Sequence, residues 1–320
     1  MAAATPAAGP PRGRVWLAFA SVYVIWGTTY LAIKYVIDTM PPLLSMGLRY
    51  LLAGSALWLL APGSWRTRPT RTDWLWAFTL GGLMLLAGNG IVAIVEGKMP
   101  SGVAALLIGV VPLWMTLIEW GSGGGRPSVA SVLGIVLGFV GVGLLSFEGA
   151  GWAGGKVDLL YVAILMFGTL CWAFGSVLSR RGGLKMPILR SVALQMMAGS
   201  VLLFAAGLVH GEAAHVEPAR ISTASLVALL YLVTFGSIVA FTAYSWLLSV
   251  RPATMVSTYA FVNPVVAVAV GALLRHEPLA PRTILATLLV VAAVALVLYA
   301  KSRPTSKAAP PTAIEAPPGE

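Results

Sequence analysis

Leu52-Ala53-Gly54-Ser55 returns later in the chain as Met197-Ala198-Gly199-Ser200, and Pro100 and Pro112 return as Pro252 and Pro264. Trp26 falls within a residue of Trp172 in the same register, and a few residues were gained before the proline pairs. The chain is therefore written twice, in the same order. If each copy holds an odd number of membrane spans, the copies enter the bilayer in opposite directions. That is the architecture in which one central site faces either side in turn.

Composition supports the membrane reading. Of 320 residues 58% are hydrophobic and only 10% charged, with mean hydropathy +0.87 and the apolar residues gathered in long runs. Such a balance does not suit a water-soluble globule. Runs near 20 residues match a hydrocarbon layer of roughly 30 Å at about 1.5 Å rise per residue. Lipid offers no hydrogen bonds, so the spans are helices, and the lack of alternation argues against a barrel. Ten spans are expected: Val15–Ile37, Leu43–Ala61, Trp74–Val95, Gly102–Trp120, Val129–Phe147, Val157–Ser179, Ile188–Leu208, Ser225–Leu247, Ala253–Leu274 and Thr283–Tyr299. The fold class is an all-α polytopic membrane protein of two inverted five-helix repeats, residues 15–147 and 157–300. Residues 1–14 and 301–320, rich in Ala and Pro, are expected to be disordered tails. Ala18-Phe19-Ala20 resembles a signal-peptidase site, but the apolar run continues to Ile37, so a retained first helix is expected.

The net charge of +10 follows the membrane faces and gives no sign of a nucleic-acid partner. With the N-terminus inside, Arg12, Arg14, Arg66, Arg68, Arg71, Arg126, Arg180, Arg181, Lys185, Arg251, Lys301, Arg303 and Lys307 are internal. Only Lys98, Lys156, Arg220, Arg275 and Arg282 fall outside. The asymmetry places both termini in the cytoplasm. It also agrees with the inversion expected from five spans per copy.

Several residues resemble a known family. Trp26-Gly27-Thr28-Thr29, then Ala32-Ile33-Lys34, Pro42 and Arg49, are similar to the first two helices of the drug/metabolite transporter superfamily in its ten-helix form with two EamA domains. Tyr244, Ala253, Asn263-Pro264-Val265 and Glu277-Pro278 are similar to its last three helices. The likeness covers roughly residues 15–300; the first copy departs from it with Arg126-Pro127 where the second has Glu277-Pro278. The resemblance implies a secondary transporter of the cytoplasmic (inner) membrane. Such a protein exports amino acids, related metabolites or drugs through a cavity between the halves.

The residues themselves reach part of this. Tyr23, Trp26, Thr29 and Tyr30 recur at helical spacing on one face, where polar and aromatic groups suit an interior better than lipid. Simple helix packing is the alternative. Arg49 lies about 9 Å inside its span and needs a compensating partner. Either Lys34 and Arg49 form a cationic vestibule for a carboxylate, or Lys34 snorkels and Arg49 caps backbone carbonyls. The places of Lys34 and Arg49 in the second copy hold Arg180 and Leu194 beside Gln195. Asn89, Gln195 and Asn263 are amides suited to a zwitterion or to tying helices together. Pro112 and Pro264 are each expected to free a carbonyl one turn earlier. Trp172 and Tyr244, with Trp114, Ser237 and Tyr259, are further cavity candidates or members of interfacial belts. Gly134, Gly138 and Gly141 form a small-residue stripe that serves internal packing or a homodimer.

Other classes find less support. No phosphate-binding Gly-rich loop is present, the single Cys171 makes neither a disulfide nor a metal site, and His210, His215 and His276 are scattered. No cofactor, metal or enzymatic activity is expected; the partners are a small-molecule solute and the bilayer. Asp38, Glu96, Glu119, Glu148 and Asp158 all fall near span ends, so facilitated diffusion or exchange is expected rather than proton drive. Efflux of drugs or lipophilic cations is the alternative within transport. A non-transporting scaffold or sensor would have a tightly packed seam between the halves.

Overall fold

The computed structural model describes residues 10–62, 68–96, 98, 101–146, 158–182, 184, 186–275 and 281–302. The expected tails up to residue 9 and from residue 303, Pro100, Glu148, His276 and Glu277-Pro278 lie outside these residues.

The described chain is helical. Helix α1 spans Arg12–Ile37 and α2 spans Pro42–Leu60. Helix α3 runs Arg71–Val95, its middle Gly81–Gly90 wound as a π-helix. Helix α4 comprises Ser101–Ile108 and, after a break at Gly109-Val110, Val111–Gly121; α5 is Val129–Ser146. Helices α6 and α7 span Leu159–Gly182 and Ile188–Val209. Helix α8, Thr223–Val250, again has a π-helical middle at Leu232–Phe241. A short turn, Ala253–Val256, leads into the main helix Tyr259–Arg275, the two together forming α9; α10 is Pro281–Ser302.

Seven of these segments, in α1, α2, α3, α4, α6, α7 and α8, are long and apolar enough to cross a membrane. Val129–Leu144, Ala253–Ala267 and Ile284–Ala300 are shorter apolar helices. Large side chains such as Leu60, Leu75, Leu160 and Val209 are exposed, the surface a bilayer would cover.

Local chemistry sets the ends. Thr70 and Asp73 form a capping box at the start of α3, with bonds of 3.2 and 2.8 Å. Ser222 Oγ accepts from Ser225 N at 3.1 Å and opens α8. Pro42 begins α2, where a missing N–H costs nothing. The next two amides donate to a carboxylate from far along the chain: Leu43 N to Glu212 Oε1 at 3.1 Å and Leu44 N to Oε2 at 2.9 Å. Pro112 sits in the first turn of the second α4 segment, just after the break at Gly109-Val110, whereas Pro264 lies inside α9.

Packing runs mainly between the two halves of the sequence. The principal pairs are α2 with α7, α5 with α10, α3 with α7, α1 with α8 and α9, and α6 with α3 and α4. Small residues permit the close approaches. A Cβ on Gly54 would lie 3.0 Å from the Ala193 carbonyl oxygen on α7. The Gly134, Gly138 and Gly141 stripe is covered internally, by Val297, Phe261 and Val290. Those glycines serve packing within the chain and leave no stripe open for a second copy.

Candidate functional site

A cavity enclosing about 650 Å³ of open space, mouth included, lies among α1, α2, α3, α4, α6, α8 and α9. Seven predicted residues line it: Trp26, Thr29, Tyr30, Arg49, Asn89, Trp172 and Asn263. Trp26, Thr29, Tyr30 and Ile33 follow one another at three- and four-residue steps, so α1 presents a single face to it. The lining residues of α1 and α3 lie in their C-terminal halves and Arg49 in the N-terminal half of α2, which places the cavity toward one end of the bundle.

Arg49 is the unusual element. Its residue is 3% exposed, yet no carboxylate lies within ion-pair distance among the described residues. Nε donates to Ser237 Oγ at 2.8 Å, Nη1 lies 3.7 Å from the Met46 sulfur, and the guanidinium carbon is 4.8 Å from the Tyr50 ring centre. A hydroxyl, a thioether and a ring face are modest compensation for a desolvated cation. Nη2 is directed toward Gly236, where a Cβ would approach it to 2.9 Å. The Asn263 amide oxygen is also buried without a hydrogen-bond partner among the described residues. The cavity thus offers a cation rich in donors and an unused acceptor.

Its wall is aromatic. Trp26 packs against Tyr259 at 4.9 Å and 80°, and against Trp172 at 5.6 Å and 73°. The Trp26 indole N–H donates to the Gly236 carbonyl at 3.1 Å, across to the π-helical part of α8. Tyr244 does not line the cavity. It stands behind the wall, 4.9 Å from the Trp26 ring, with its hydroxyl 2.7 Å from Ser176 Oγ. Of the other sequence candidates, Tyr259 lines the cavity, Ser237 reaches it through Arg49, and Trp114 is not part of its lining.

Gln195 is elsewhere. It lines a second cavity, enclosing about 920 Å³ of open space with its mouth included, at the opposite end of the bundle, with Ser179, Arg180, Ser191, Ser245 and Ser249. At this end Glu119 joins three elements. Its Oε1 accepts from Arg180 Nη1 at 3.2 Å and from Ala253 N at 2.9 Å, while Oε2 accepts from the Thr254 hydroxyl at 2.7 Å. It ties the end of α4 to α6 and to the start of α9.

Gly236 and Phe241 carried no visible signal, because nothing in Leu232–Phe241 announces a π-helix. In α3 the π-helical stretch ends on Gly88-Asn89-Gly90, whose glycines weaken a helix. Glu96, one turn beyond the lining residue Val92, is an acid near the first cavity's rim. Burial raises its carboxyl to about 7, against the opposing pull of the Lys34 ammonium.

Apolar helices of membrane-spanning length around a cavity that holds a buried cation suit a membrane transporter, and comparison with known proteins agrees. The EamA-like transporter family matches residues 14–147 and 159–299, and the chain belongs to that family. The inner membrane transporter YedA of Escherichia coli K12, itself described as uncharacterized, is 36% identical over 286 residues, covering 88% of this chain and 89% of YedA. The uncharacterized transporter YvbV of Bacillus subtilis 168 is 27% identical, covering 90% and 92%. A probable amino-acid metabolite efflux pump of Escherichia coli K12 is 25% identical, covering 84% and 90%. A solved crystal structure shares the fold with TM-score 0.74 at 19% identity, covering 91% of this chain and 98% of that chain.

Proposed function

We propose that this protein is a secondary transporter that exports amino acids or related carboxylate-bearing metabolites by alternating access. The observation carrying this reading is Arg49, a buried guanidinium lining the cavity with no carboxylate within ion-pair distance among the described residues. A solute carboxylate would supply the missing counter-charge in bidentate geometry. The Asn263 oxygen, without a hydrogen-bond partner among the described residues, would accept from an ammonium, and Trp26, Trp172 and Tyr259 would take an apolar or aromatic side chain. A relative named as a probable amino-acid metabolite efflux pump supports the same class.

The architecture we infer is ten spans in two inverted repeats, residues 15–147 and 157–300, with both termini cytoplasmic. The packing pairs support it. Replacing each helix by its counterpart five positions on exchanges α1–α8 with α6–α3, α1–α9 with α6–α4 and α3–α7 with the smaller α8–α2 contact, and leaves α2–α7 and α5–α10 as they are. That is the behaviour of a pseudo-two-fold axis. The excess of Lys and Arg at the α2–α3, α4–α5 and α6–α7 connections supports the orientation. In this frame the Arg49 cavity belongs to the outer side and the Gln195 cavity to the inner side.

Efflux of lipophilic cations has one observation in its favour, the aromatic wall. Arg49 in the same cavity opposes it. Proteoliposome flux of labelled amino acids, nucleobases and cationic dyes separates the two. Arg49→Ala and Trp26→Ala are expected to reduce amino-acid flux at least tenfold, a change on the order of 1.4 kcal/mol. Robust dye flux that survives Arg49→Ala would reverse the assignment.

A further inference from the structure

The second cavity is not accounted for by the site above. It shares no lining residue with the Arg49 cavity, and the aromatic wall with Tyr244 stands where the two would meet: Ser245, next in sequence, lines the second. Polar side chains from three helices converge on it: Ser179 and Arg180 from α6, Ser191 and Gln195 from α7, Ser245 and Ser249 from α8. Arg180 is the cation among these. Nη1 donates to Glu119 at 3.2 Å, its side chain is 37% exposed against 13% for Glu119, and its remaining donors make no hydrogen bond among the described residues.

We infer that this cavity is a second solute site, a cytoplasmic loading site for carboxylates built on Arg180, and that a solute bound there competes with Glu119. The inference rests on the transporter reading and its orientation. Arg180 neutralises the same carboxylate that holds the Ala253 amide and the Thr254 hydroxyl at the start of α9. A solute carboxylate engaging the free edge of the guanidinium draws it from Glu119, leaving a mostly buried acid without its cation. Glu119 then favours water over α9, and the joint between α4, α6 and α9 loosens. Loading from the cytoplasm thereby weakens the seal that must open for passage to the Arg49 cavity. The serines and Gln195 supply neutral donors and acceptors, suited to a site that binds weakly and lets go.

The test uses the full chain in detergent with Cys171→Ser and Ser245→Cys, following maleimide labelling of the single thiol. The probes are benzoate, L-phenylalanine and L-leucine, with phenethylamine as an aromatic amine lacking a carboxylate. The carboxylates are expected to slow labelling and phenethylamine to leave it unchanged. Arg180→Gln raises the half-effect concentration at least tenfold, whereas Glu119→Gln lowers it by roughly tenfold, the worth of one charge-assisted bond. Where Arg180→Gln does not yield folded protein, Arg180→Lys is read instead and is expected to weaken protection several-fold, since it cannot make the bidentate contact. Protection persists in an Arg49→Gln background.

Protection by none of the carboxylates, equal protection by phenethylamine, or indifference to substitution at Arg180 overturns the inference. Protection that disappears with Arg49→Gln but ignores Arg180 also overturns it and leaves the transport reading standing. Conversely, proteoliposomes that move no carboxylate contradict the transport reading, while Arg180-dependent protection at Ser245→Cys still upholds the site.

Discussion

Arg49 shows how far a single residue can be read. Its cost at membrane depth is visible in the sequence, and so is the need for a partner; that its Nε donates to the Ser237 hydroxyl is not, because Ser237 is brought near by the π-helical part of α8. Removing a poorly compensated buried charge need not destabilise a fold. Arg49→Met is therefore expected to leave the detergent melting temperature within about 3 °C of wild type while abolishing carboxylate flux, both measured on the same preparation. Gln195 illustrates the opposite difficulty. As the near counterpart of Arg49 in the second copy it invites assignment to the same cavity, yet it lies at the other end of the bundle. Glu96 titrates in a useful range. Its carboxyl holds its proton to about 7 in the folded protein against 4.5 ordinarily, so its contribution to stability is complete below 4.5 and falls away as pH rises through 7. Thermal unfolding at pH 5 and pH 8 is expected to show wild type losing stability at the higher pH relative to Glu96→Gln.

At the scale of elements, the periodic apolar runs made the helices legible, because lipid leaves the backbone no other partner. The Thr70 and Ser222 caps start their helices a few residues before the apolar runs do. Two features were not legible. One is the capping of α2 by Glu212, which depends on a carboxylate folded back from the α7–α8 connection. The other is the π-winding of α8, which rotates Gly236 toward Arg49 and Trp26 without any proline or Gly-Asn run to signal it. The glycine stripe was legible as close packing, and the structure identifies its partners. A Cβ at Gly141 would lie 2.8 Å from Val290 Cγ2 and 3.1 Å from the Ala286 carbonyl oxygen, whereas one at Gly143 would meet only Leu106 at 3.8 Å. Gly141→Leu is expected to destabilise the α5–α10 pair by about 1–3 kcal/mol and Gly143→Ala to be tolerated, as read by thermal unfolding in one detergent.

For the whole molecule, duplication was the most informative signal, since it concerns order along the chain rather than any local propensity. It directed attention to a space between the halves, and Trp26, Thr29, Tyr30, Asn89, Trp172 and Asn263 meet there with Arg49. The inner cavity and its Glu119–Arg180 joint were beyond the sequence, because the amide of Ala253 and the hydroxyl of Thr254 find Glu119 only after α9 docks on α4. Passage of a carboxylate-bearing solute over Arg49 is the step on which export depends. It is tested most directly by paired proteoliposome fluxes of L-phenylalanine and phenethylamine through wild type and Arg49→Gln. Wild type is expected to carry L-phenylalanine at least tenfold faster than phenethylamine, and Arg49→Gln to erase that preference by slowing L-phenylalanine alone. Equal fluxes in wild type, or a preference that survives Arg49→Gln, would contradict the account.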